Sequence, residues 1–224
     1  MQFLAATMIL TPIPPDQLEA GLDRFAAGLT SAEARSAFAR IRATSPDRAQ
    51  GDDAERHRRK AVAWAHQCGV PVHPDGTLCD FNWDGAALDP STEAYVILHE
   101  VAHFLLAPPD RRALRDFGLG PGPDTRDRDA ATLAQTLTLA ESEADEAAAS
   151  LIGILWEAEL GHPALASFLD QNWLEGLERG RAAKHFEAIV ERLAEHGELP
   201  SPVSLRDPPS PASGKGIAGS RSTR

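Results

Sequence analysis

Residues 99–103 read His-Glu-Val-Ala-His. Apolar neighbours flank them, Tyr95-Val96-Ile97-Leu98 on one side and Phe104-Leu105-Leu106 on the other, so the segment is expected to form a buried helix. Positions i and i+4 share one helical face, which lets both imidazoles, His99 and His103, reach a single cation. Glu100 lies about 60° round the helical wheel from His103. It can take a proton from water activated by that cation without being a ligand itself.

Two histidines hold a divalent ion poorly, and a catalytic site recruits a third protein ligand while leaving the rest of the sphere open. Glu141, Glu143, Asp145 and Glu146 are the candidates downstream, on the next long helical stretch. Helical phase at ~100° per residue turns Glu141 and Asp145 toward the apolar side made by Ala144, Ala148, Leu151, Ile152 and Leu155. Glu143 and Glu146 are expected to point away. A carboxylate aimed into an apolar interface is costly unless paired or bound to metal. The expected ligand set is therefore His99, His103 and Glu141, with Asp145 behind, accepting the free N–H of a ligating histidine.

This set serves two chemistries. With zinc, Glu100 acts as general base and water attacks an amide, as in a metallopeptidase. With Fe(II), two histidines and a carboxylate leave positions for dioxygen and substrate, as in a hydroxylase. A third reading makes the metal a structural staple in a helical binding protein, which requires a closed coordination sphere.

The rest of the chain bounds the setting. A length of 224 residues with 42% apolar content suits a globular protein with a real core. The net charge is −11. It argues against nucleic acid or an anionic membrane as partner, since phosphate contacts need clustered cations. Cys68 and Cys79 are too few for a disulfide framework and are read as reduced thiols. The N-terminus lacks the basic region of a signal peptide, and no apolar run approaches the ~20 residues that cross a bilayer, so a cytoplasmic location is expected.

The fold class expected is mainly α with a minor β element. Residues 1–88 form a helical region plus a short β or loop segment, 89–200 the metal-binding core, and 201–224 a disordered tail rich in Pro, Ser and Gly. Within these, Leu18, Leu22, Phe25 and Leu29 mark a first helix, and Thr30 with Glu33 a capping box for a second. A third spans residues 52–66, with its basic cluster at 56–60 facing solvent. Residues 77–81 favour a strand. Asp89 caps, and Pro90 opens, the helix carrying the histidines. Further helices are expected over residues 110–117, 130–160, 164–177 and 182–196. Histidines other than His99 and His103 are read as surface or loop residues.

Leu98 to Phe104, then Arg111-Arg112-Ala113-Leu114-Arg115-Asp116-Phe117-Gly118, then Pro123-Asp124-Thr125-Arg126-Asp127 together resemble the elongation factor P hydroxylase family at matching spacing. A weaker likeness continues through Glu141, Gly161-His162-Pro163 and Leu174-Glu175-Gly176, over about residues 96–195. Leu119-Gly120-Pro121 stand where the family carries aromatics. The resemblance implies an iron-dependent, oxygen-consuming enzyme that hydroxylates a modified lysine on a translation factor, with His99, His103 and Glu141 as metal triad. An acidic enzyme docking on an acidic factor needs a local basic patch. Arg111, Arg112 and Arg126, flanked by Arg115 and Arg128, are the candidate substrate contacts; salt bridges to the interleaved aspartates are the alternative.

Overall fold

A computed structural model describes residues 13–122, 125–174 and 181–200. The expected tail at 201–224 lies outside these residues, as do the N-terminal dozen and Asp124. Among the described residues the protein is mainly α, with nine helices and no sheet.

Helices α1 (Pro15–Ala27), α2 (Ala32–Arg42) and α3 (Gly51–Gln67) arise where the first three helices were expected. The cap of α2 is Ser31, whose side chain accepts from Ala34 N, whereas Thr30 gives its N–H and hydroxyl to Glu187. The helix bearing the histidines, α4 (Ala94–Leu106), starts four residues later than Pro90 suggested. Asp89 turns its carboxylate onto Ser91 N and Oγ instead, closing a local turn ahead of the helix. Pro108–Pro109 end α4 and open the one-turn α5 (Pro109–Arg112), followed by a 3-10 turn over Arg115–Gly118.

The stretch from residue 130 to 160 is broken. Gln135 leaves helical geometry after α6 (Arg128–Ala134), and Thr138 begins α7 (Leu139–Leu160) with a complete capping box to Glu141. Helix α8 stops at Asp170 rather than near 177, and α9 (Ala182–His196) buries Phe186, Ile189, Val190 and Leu193 as its spacing predicted. The strand expected at 77–81 does not form; two isolated bridges, Val72 with Leu88 and Trp83 with Leu88, tie this loop together.

Helix α7 is the hub, packing on α2, α4, α8 and α9. Every residue from Ala148 to Glu157 is buried. Its closest neighbour is α4: a Cβ on Gly153 would stand 3.2 Å from His99 N, so glycine sets how near the two backbones come. One hydrophobic cluster runs from Leu22 to Leu193, joining residues on both sides of position 88. Cys68 and Cys79 are free thiols.

His162, read as a surface or loop residue, lies in the loop after α7 but is buried, with its ring stacked 4.1 Å from His57 and, among the described residues, no hydrogen-bond partner for either nitrogen. Burial pushes it down to about 3, so it is neutral. Nearby, burial pushes Glu157 up to about 7 from an ordinary 4.5. A folded value above the unfolded one means that stability falls as pH rises from 4.5 through 7. Glu157→Gln is therefore expected to unfold at higher temperature than the parent at pH 8, by roughly 1–3 kcal/mol, and to lose that advantage at pH 4. Thermal melts at the two pH values check this.

Candidate metal centre

His99 and His103 project from one face of α4 toward α7, as one turn of spacing requires. Their Nε2 atoms face each other at 2.9 Å, and a carboxylate oxygen completes the group. That oxygen belongs to Glu146, not Glu141. Glu146 Oε2 stands 3.1 Å from His99 Nε2 and 3.4 Å from His103 Nε2. Among the described residues this is the one group of three or more His, Cys, Asp or Glu side chains close enough to share an ion. Its edges of 2.9, 3.1 and 3.4 Å compare with the ~3.3 Å between ligand atoms of a tetrahedral ion held at ~2.0 Å. Two neutral imidazoles and a carboxylate suit zinc or iron alike.

The expectation for Glu141 fails for a local reason. As third residue of α7 it folds back to accept from Thr138 N and Oγ1, at 2.9 and 2.7 Å, and it is exposed. The phase argument assumed one apolar face, but α7 is enclosed by helices on several sides. The side turned to α4 carries Glu146, Ala149 and Gly153, a spacing of i, i+3 and i+7 in which small residues admit the neighbouring backbone.

Asp145 stands where it was expected. Its Oδ1 lies 2.8 Å from His103 Nδ1, and the pair is buried. This contact orients the ring with Nε2 toward Glu146 and His99. Burial lowers the proton affinity of His103, yet Glu146 and Asp145 outweigh it and lift the imidazole to about 10. Glu146 is correspondingly driven far down: burial opposes its ionisation, but His103 and His99 prevail. Without metal a proton thus sits where a cation would, and an entering ion has to displace it, so loading weakens as pH falls.

A cleft of about 260 Å³ opens on the triad, lined by Asn82, Tyr95, Glu100, Asp116, Thr125 and Gln171 among others. Glu100 is buried; Asn82 Nδ2 donates to its Oε1 at 3.4 Å, and burial pushes its carboxyl up against the pull of the two histidines. Asp116 places its carboxylate in the same cleft, accepting from Thr125 Oγ1 at 2.8 Å; burial raises it too.

Asp116 (φ 44°) and Phe117 (φ 52°) both adopt left-handed backbone, which costs non-glycine residues about 1–3 kcal/mol each. What this conformation achieves is placement. Phe117 slides flat between the rings of Trp83, at 5.1 Å, and His103, at 5.5 Å, while Asp116 turns to the opening. The Asp-Phe-Gly succession was the one sequence signal for these residues. Glycine follows because a Cβ at 118 would meet Thr136 Oγ1 at 2.6 Å.

None of the three arginines expected to touch substrate lines this cleft. The Arg111 guanidinium is nearly buried and held by Asp145 Oδ2 at 2.6 Å. Arg112 donates to Ala107 O and lies 4.8 Å over the Phe104 ring. Arg126 ties down the neighbouring loop through Asp80 O and Cys79 O. Their positive charge is spent on local structure. No described helix is long and apolar enough to cross a membrane. The chain matches no protein-family model, no curated protein and no solved structure.

Proposed function

We propose that the protein is a mononuclear metal enzyme, with Fe(II) as the favoured ion, that hydroxylates an amine-bearing lysine side chain on a cytoplasmic protein of the elongation factor P type. The observation that carries this reading is the charge of the cleft. Glu100, Asp116 and Glu146 line it, and among the described residues no lysine or arginine does. A dication at the triad offsets two of these charges and leaves one carboxylate to pair with an ammonium group. Such pairing recovers the cost of burying Glu100 and Asp116, whose proton affinities burial has raised. The resemblance through Arg111-Arg112 and Asp116-Phe117-Gly118 points the same way.

Bound iron would supply oxygen activation, and His99, His103 and Glu146 would hold it. Glu100 and Asp116 orient the amine from two sides of the opening, with Asn82 and Thr125 fixing their carboxylates. Val96, Phe117 and Leu119 make the apolar wall that limits water.

Protein purified without oxygen is expected to hold one equivalent of iron and, given air and an added two-electron reductant such as ascorbate, to place one atom of dioxygen on a lysine of the partner factor while the other leaves as water. Intact iron with no mass gain would overturn the reading. Glu100→Gln should keep the metal while slowing turnover roughly 100-fold, as misplacement of the reacting group does.

The placement of Glu100, buried and next in sequence to the first ligand, favours a second reading as a zinc peptidase with Glu100 as base. Zinc at one equivalent, and oxygen-independent cleavage of casein that Glu100→Gln abolishes, would select it.

A further inference from the structure

Arg111 lies in the last turn of α5, brought back toward α7 by the turn at Pro108–Pro109. Its Nη2 reaches Asp145 Oδ2 at 2.6 Å, and the other oxygen of that carboxylate meets His103 Nδ1 at 2.8 Å. Its Nε is buried without a partner. A guanidinium carries five donors, and leaving one unmet in the interior costs about 1–3 kcal/mol. The side chain accepts this cost to keep the contact with Asp145.

We infer that Arg111 is a positioning residue for the metal centre, acting through Asp145 on His103, with no direct part in substrate recognition. The inference rests on the metal reading and goes beyond it. A carboxylate in this interior with a histidine N–H as sole partner is free to swing about that one contact. Arg111 engages the second oxygen, which fixes the carboxylate plane and aims the first oxygen along the Nδ1–H bond. The guanidinium also withdraws negative charge from Asp145. With Nδ1 engaged in this way, the His103 ring is held with Nε2 directed at the ion. Arg111 spans three parts of the fold at once, α5, α7 and, through Asp145, α4.

The test loads Co(II), whose visible bands report ligand geometry, into the full-length protein. The variants are Arg111→Met, Arg111→Lys, Asp145→Asn and the Arg111→Met/Asp145→Asn pair, with folding followed by circular dichroism. Arg111→Met is expected to bind one equivalent roughly 10–100-fold more weakly, with shifted bands. Arg111→Lys, which keeps the charge but lacks the planar fork, should recover most of the affinity and part of the spectrum. In the Asp145→Asn background the methionine substitution should add little, because its effect passes through that carboxylate. If Arg111→Met does not fold, Arg111→Lys decides: parental bands and affinity overturn the inference. A folded Arg111→Met with unchanged spectrum and affinity, or a full effect persisting beside Asp145→Asn, would also overturn it. Failure of the parent protein to take Co(II) would instead remove the metal reading on which it stands.

Discussion

Glu146→Ala is expected to empty the metal centre, taking the purified protein from one equivalent of metal to near none, while Glu141→Ala leaves it loaded. The two residues sit five positions apart on one helix with opposite duties. Glu146 presents Oε2 to both Nε2 atoms. With it gone, two imidazoles alone face the ion and the site loses its one anionic ligand. Glu141 spends its carboxylate on the amino end of α7. Its loss weakens the end of the helix, as loss of a cap does, and shows as a small fall in melting temperature. Elemental analysis of the two variants separates the effects. Retention of metal by Glu146→Ala would refute the ligand set.

The second large effect lies away from the ligands. Gly153→Leu is expected to destabilise the protein by about 3 kcal/mol or more and to lower metal affinity with it. A Cβ at 153 would stand 3.2 Å from His99 N and 3.3 Å from His99 Cα. These are backbone atoms of a buried helix, so no side chain can swing aside. A leucine has to push α7 off α4, which parts Glu146 from the histidines. Gly153→Ala asks for only a few tenths of an ångström, and the gain in helix propensity, up to ~1 kcal/mol, offsets it. Near-parental melting for alanine against a marked drop for leucine, with metal content following, is the result that checks the helix spacing.

How much could be read from the chain follows from how many sides each helix packs. Helix α9 has one buried side, and its Phe186, Ile189, Val190 and Leu193 were legible from spacing alone. The pair His99 and His103 was legible for the same geometric reason, and Asp145 because its phase made it face the interior. Glu146 was not. A helix enclosed from Ala148 to Glu157 has no single apolar direction, and averaging over its sides pointed to the wrong acid.

The small-residue spacing through Ala149 and Gly153 was the better guide, since it marks where another backbone comes close. Local propensity misled at residues 77–81, where β-favouring side chains found no partner strand among the described residues. It misled again at Asp89, whose carboxylate serves a turn before the helix. Arg111 looked like a surface contact because long-range pairing with Asp145 leaves no trace in sequence spacing.

Asp145 and Glu146 are chain neighbours, yet they address opposite edges of one imidazole, Nδ1 and Nε2. A single degree of freedom, the roll of α7 about its own axis, therefore governs both the tautomer of His103 and the closure of the ion's cage. Inserting or deleting one residue upstream within α7 would spoil the two together.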